Sequence, residues 1–151
     1  MTKFLTLTFS RGMLSLEDAV KMHGHKGPWL VLGYRAGLRA LELLKPEDEH
    51  DLTCKVRCPL KTPYTCSIDG IQVSTGCTLG KMNISVEEEH DRIEFLFSNK
   101  KKKSLLELRV RECAVEKIKS YLSKEGMNFA SNYVERADFA ELFEEKVICD
   151  F

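Results

Sequence analysis

The chain has 151 residues, 43% of them apolar and 30% charged, with 23 basic and 23 acidic side chains. That describes one domain with enough apolar surface for a core. Its balanced charge removes the global electrostatic case for nucleic acid or an anionic membrane as partner. No segment approaches the roughly 18 apolar residues that a bilayer span requires, and polar residues break up "MTKFLTLTFSRGML" too early for a leader. The expectation is a cytoplasmic protein.

In chain order, Ser15 before "LEDAVKMHG" is placed to cap a short helix over residues 16–22, with Asp18 in the capping-box position and Gly24 ending it. Pro28 suits the first turn of a second helix. Leu30, Tyr34, Gly37, Leu38, Leu41 and Leu44 recur there at helical spacing, and Pro46 stops the run. Gly33, Ala36, Gly37 and Ala40 form a second strip. Glycine inside a helix costs roughly 1 kcal/mol against alanine, so close approach of another backbone is the expected reason. The small and apolar surface of this helix over residues 28–44 also suggests a homodimer, two-fold pairing being the commonest association.

"DLTCKVRC" alternates as a strand, and residues 67–73 form a short helix followed by a glycine-punctuated loop. Three strand-like segments come next, "NISVEEE", "RIEFLFS" and "SLLELRV", with the lysine run at 100–103 as a solvated turn between the last two. Residues 113–122 have helical periodicity, "FASNYVERADFAELFEE" reads as one or two more helices, and "KVICD" as a closing strand. Helices against a mixed or antiparallel sheet is an α+β pattern.

The side chains with metal-ligand chemistry are His23, His25, Cys66 and Cys77. Neutral imidazole and thiolate suit zinc and similar ions, and two histidines at i, i+2 in a turn can converge where on a helix they would not. Spacing alone leaves two readings open: half of a metal site, or a capped turn and buried thiols. Six cysteines in a cytoplasmic chain need not be disulfides. Cys54 and Cys58 share one face of their strand and read as buried, and Cys113 and Cys149 read as core. Trp29 and Tyr34 either wall a pocket or pack their helix.

The stretches "HGHKGPWLVLGYRAG" and "YTCSIDGIQVSTGCTLGKMN", in that order, resemble the formylmethanofuran dehydrogenase E-subunit family over most of the chain. The resemblance implies a thioredoxin-like α+β core, a mixed sheet flanked by helices, and a site that can hold zinc or another divalent transition metal. Some relatives carry an added C-terminal zinc finger; this chain matches the core alone, as a single domain over residues 1–151. Carried over residue by residue, His23, His25, Cys66 and Cys77 are the largest ligand set. Asp69, Gly70, Gln72, Thr75, Gly76, Thr78, Gly80, Lys81 and Asn83 complete the second motif. Many relatives have cysteine where this chain has Gly27, which removes one soft ligand.

Three protein ligands with an open position would suit catalysis, and four would suit structure. Asp69 either orients a ligating imidazole or caps a turn, and Lys81 either binds an anionic substrate group or is solvated. An open pocket is expected between the turn at 23–28 and the loop at 66–81, with Gly70, Gly76 and Gly80 admitting a ligand close to the backbone. Two function classes follow from the resemblance. One is a metal-dependent accessory to one-carbon or molybdenum/tungsten enzyme metabolism, related to methanogenesis, with such an enzyme complex as partner. The other is a metal or cofactor (haem or pterin) carrier without catalysis. The chain has no molybdopterin-binding apparatus and no iron–sulfur cysteine run, so it is not read as the dehydrogenase itself, and the substrate stays unnamed.

Overall fold

The computed structural model describes residues 14–150; residues 1–13, which make up nearly all of the stretch read for a leader, lie outside the described residues. Among the described residues six helices and five strands follow in order: α1 Leu16–His23, α2 Pro28–Leu44, β1 Leu52–Cys58, α3 Cys66–Thr75, β2 Ile84–Glu88, β3 Glu94–Asn99, β4 Ser104–Val110, α4 Glu112–Lys124, α5 Met127–Arg136, α6 Phe139–Leu142 and β5 Phe143–Cys149. None of these helices is long and apolar enough to cross a membrane.

The strands form one mixed sheet in the order β2-β1-β3-β4-β5. β1 and β2 are parallel, which requires a crossover, and α3 lies in it; the other pairs are antiparallel. Strict alternation in β1, β3 and β4 sends Leu52, Cys54, Val56, Cys58, Phe95, Phe97, Leu106, Leu108 and Val110 to one face. That face is the core, closed by α2 and by Ala114 and Ile118 of α4. The opposite face carries Lys55, Arg57, Glu94, Glu107 and Arg109, half-buried or exposed. The α+β expectation is borne out.

α2 is the central helix. Its buried residues run from Pro28 to Leu44, and its last carbonyls are capped from the far turn by Asn99 Nδ2 on Leu44 O, 2.9 Å, and Lys102 Nζ on Lys45 O, 2.7 Å. α3 has poor intrinsic propensity, with a glycine in its middle and β-branched residues around it. Packing explains it. A β-carbon on Gly33 would overlap the Ser67 carbonyl, and one on Gly70 would overlap the Leu30 carbonyl and stand 2.5 Å from Tyr34 N. Gly37 faces Ser74 and Thr75. The small-residue strip is therefore consumed inside the chain, and the ground for expecting a homodimer from it is removed. Gly70 serves this helix crossing and is not part of a ligand loop.

Other details depart from the sequence reading. The closing strand is longer, starting at Phe143, because Phe143 packs in the core beside Phe95 and Phe139. Cys113 and Cys149 are exposed, not core: Cys113 lies off the face on which Ala114 and Ile118 repeat, and Cys149 ends an edge strand. Cys54 and Cys58 are buried as expected, and burial pushes the Cys58 thiol up to about 11.

Candidate functional site

The turn that presents the histidines is built by caps on both sides. Ser15 Oγ accepts from Asp18 N at 3.1 Å while Asp18 Oδ2 accepts from Ser15 N at 2.8 Å, closing the capping box that starts α1. Gly24 takes the left-handed conformation, φ 114°, that ends α1. His23 is thereby the last residue of α1, and His25 stands in the short connection before Gly27 and Pro28 open α2. The two imidazoles converge, with ring centroids 4.8 Å apart.

His23 is the better-built of the two. Its Nδ1 lies 2.5 Å from Asp69 Oδ2. Since a carboxylate only accepts, Nδ1 carries the proton in the neutral ring and Nε2 holds the lone pair. That Nε2 is buried and has no hydrogen-bond partner among the described residues. A buried polar atom left unpaired costs about 1–3 kcal/mol, so it calls for a reason. His25, by contrast, is exposed.

Asp69 is held in turn. Gln72 Nε2 donates to Asp69 Oδ1 at 3.3 Å, and Gln72 Oε1 accepts from Leu79 N at 3.0 Å. Sequence reasoning alone gives Gln72 no role; the i, i+3 spacing of Asp69 and Gln72 on a helix is the signal that points to one.

Cys66 and Cys77 lie at opposite ends of α3. Cys66 is the first residue of α3, half-buried, one turn before Asp69. Burial first, and Asp69 second, raise its thiol above the usual range. Cys77 follows the α3 C-cap, is buried in the core, and donates through Sγ to Leu52 O at 3.3 Å. It also lies near the buried thiol of Cys54, whose ionisation burial strongly opposes. Among the described residues no three His, Cys, Asp or Glu side chains converge as a ready metal cage.

The remaining motif residues shape the loop. Gly76 caps α3 at φ 81°, Asn83 Oδ1 accepts from Thr78 N at 2.8 Å, and Lys81 Nζ bonds Thr78 Oγ1 at 3.0 Å within its own turn. Trp29 is core, edge-on to Tyr64, and Tyr34 donates to Leu14 O at 2.7 Å; both pack their helix. A β-carbon placed on Gly27 would stand 3.6 Å from His25 Nε2 and 3.8 Å from Met127 Sδ. Its backbone, φ −132°, suits any residue. Glycine is not required there, since an added β-carbon would make only ordinary contact with His25 and Met127.

Comparison with known proteins agrees with the motifs. The family model described as "FmdE, Molybdenum formylmethanofuran dehydrogenase operon" matches residues 22–147. A curated protein of Archaeoglobus fulgidus, named a probable S-adenosyl-L-methionine-binding protein, is 30% identical over 132 residues, covering 83% of this chain and 34% of its own. The chain thus spans about a third of that relative's length. The crystal structure of a tungsten formylmethanofuran dehydrogenase FmdE-like protein from Syntrophus aciditrophicus superposes with a TM-score of 0.59 at 17% identity. That match covers 90% of this chain and 73% of the other, a likeness of fold.

Proposed function

The chain belongs to the formylmethanofuran dehydrogenase E-subunit family, FmdE, and on that premise we propose that it binds a zinc-like divalent cation at the histidine turn, as an accessory of one-carbon or molybdenum/tungsten enzyme metabolism. The observation that carries the reading is His23 Nε2, buried without a partner among the described residues while Asp69 fixes the opposite nitrogen. Carboxylate–imidazole pairs of this kind orient metal-binding histidines and raise their basicity.

The donor set fits a borderline ion. His23 and His25 are the convergent pair of donors. Cys66, on the helix that also carries Asp69, is the candidate third, and it would have to turn toward them because no three such side chains converge among the described residues. Cys77 stays outside the set because its thiol is committed to the core. Were Cys66 to join the two histidines, three protein donors would leave the open position that catalytic zinc sites keep. When bound, such a cation supplies polarisation of a carbonyl or a more acidic water. The chain's own part is to hold His23 in one tautomer through Asp69 and to screen its Nε2 from bulk water.

Carriage without catalysis is the second reading. Exposed Met127, 46% accessible, has its sulfur beside Gly27 on the His25 side of the turn, and exposed Met22, 50% accessible, directly precedes His23 in the chain, an edge that a receiving partner would cover.

The test is elemental analysis of protein made without a histidine tag, expected to show one zinc ion per chain. A combined His23→Ala and Cys66→Ala change is expected to abolish it. Metal content unaffected by that double change would overturn the site.

A further inference from the structure

We infer that Gln72 is a positioning residue for this site: it sets the Asp69 carboxylate, and through it the tautomer of His23, while tying the loop after α3 to the same carboxylate. The inference deepens the metal-binding reading but rests on a contact that exists without metal.

The argument starts from the direction of each hydrogen bond. The Leu79 backbone N–H can only donate, so the Gln72 oxygen must face it, at 3.0 Å. That leaves the Gln72 amide nitrogen toward Asp69 Oδ1, at 3.3 Å. An ionised carboxylate can only accept, so this orientation satisfies both ends. Asp69 Oδ2 is then free for the His23 N–H at 2.5 Å. One continuous relay results: Leu79 N–H to Gln72, Gln72 to Asp69, and His23 to the other oxygen of Asp69.

Only a carboxamide of this length does both jobs. Glutamate would accept from Leu79 but set a second negative charge against Asp69. Asparagine, a methylene shorter, would not span the gap from α3 to the loop. Methionine matches the shape and offers neither bond. Without Gln72, Asp69 has one fewer donor holding its plane, and it is a part-exposed side chain with water competing for Oδ1. The His23 ring then loses the fixed partner that keeps its proton on Nδ1.

The loop end also matters. Leu79 is 68% exposed and Met82 79% exposed, so packing holds this loop tip little. Its tie to α3 is hydrogen bonding from Leu79 N to Gln72, and Thr78 N to Asn83 steadies the turn itself. A change at Asp69 therefore reaches the loop through one side chain.

The experiment compares wild type with Gln72→Met and Gln72→Glu, using nitrogen-15 NMR of the imidazoles and the Leu79 amide in metal-free protein, and zinc competition against a chromophoric chelator. Wild type is expected to show His23 as a single Nδ1–H tautomer and a protected Leu79 amide. Gln72→Met should show mixed His23 tautomers, a Leu79 amide in fast exchange, and zinc affinity lower by about tenfold, the low end for residues that orient a ligand. Gln72→Glu should keep the Leu79 protection while disturbing the His23 tautomer, which separates the two ends of the relay. Thermal unfolding of Gln72→Met within a few degrees of wild type would show that the fold survives. An unchanged His23 tautomer in a folded Gln72→Met protein would overturn the inference. A wild type that shows the tautomer and the Gln72 dependence but binds no zinc would sink the metal reading alone.

Discussion

His23 and Asp69 are 46 positions apart in sequence, and their side chains meet at 2.5 Å. The contact is a consequence of helix packing. α2 and α3 meet backbone to backbone at Gly33 and Gly70, while Gly37 makes room for the Ser74 and Thr75 side chains, and this crossing brings the first turns of α3 beside the end of α1. Asp69 precedes Gly70 in α3, so the residue that allows the crossing adjoins the residue that uses it.

Asp69→Asn tests the chemical half of that relationship. An amide in place of the carboxylate can present its nitrogen to Nδ1 and shift the His23 proton to Nε2, which blocks the lone pair a metal needs. Zinc affinity is expected to fall by about 10–100-fold, read by chelator competition, with the thermal midpoint changed little. Equal affinity in the variant would show that the pair does not orient the ligand.

Gly33→Ala and Gly70→Ala test the packing half. Alanine would improve helix propensity by up to roughly 1 kcal/mol, but each new β-carbon meets backbone atoms that cannot rotate away. Overpacking of this kind costs about 1–3 kcal/mol or more. Both variants are expected to melt several degrees lower, given about 2–4 °C per kcal/mol in a domain of this size. Gly37→Ala should cost less, because its nearest neighbour is the Ser74 hydroxyl. An unchanged midpoint for Gly33→Ala would contradict the crossing.

How much of this is legible in the sequence depends on range. The capping box at Ser15, the turn at Gly24 and the alternation of β1, β3 and β4 are local, so residue order carries them. Gly33 and Gly37 announce a close backbone neighbour but not its identity, since nothing local in "CSIDGIQVST" points to α2. The motif groups Cys66 with Cys77 although a helix and its cap direct the two thiols differently. Gln72 is visible as a letter in the motif; its role depends on Leu79, whose loop only the folded chain returns to α3.

The pair of Arg39 and Glu145 gives a pH test away from the site. Arg39 Nε and Nη2 donate to the two oxygens of Glu145 at 2.6 and 2.9 Å, joining α2 to β5, and that hydrogen bonding holds the Glu145 carboxyl below the usual glutamate range. A depressed carboxyl pKa stabilises the fold above the ordinary value near 4.3, and the contribution is lost as pH falls through the lowered folded value. Glu145→Gln is expected to cost about 1 kcal/mol at pH 7 and progressively less below about pH 4. Denaturant midpoints of both proteins across that range are the measurement; a gap that widened on acidification would reverse the assignment.

Cys66→Ser and Cys77→Ser separate the two thiols that the motif groups together. Cys66 stands at the start of α3 within a turn of Asp69 and is half-buried. Its replacement should lower zinc affinity and leave stability nearly unchanged. Cys77 is enclosed, and its Sγ donates to a strand carbonyl. Serine there keeps a donor but shortens its reach and puts a more polar atom in the core beside Leu52 and Cys54. A loss of about 1–2 kcal/mol is expected for that polar burial, with zinc stoichiometry intact. Binding should also weaken for wild type as pH falls, because imidazole and thiol must both give up protons to the incoming ion, and Cys66→Ser should show a shallower pH dependence by the share of the missing thiol. If Cys77→Ser instead abolished metal binding while the protein stayed folded, the loop would have to open and expose that thiol. The ligand set would then shift to include Cys77, against its present commitment to the core.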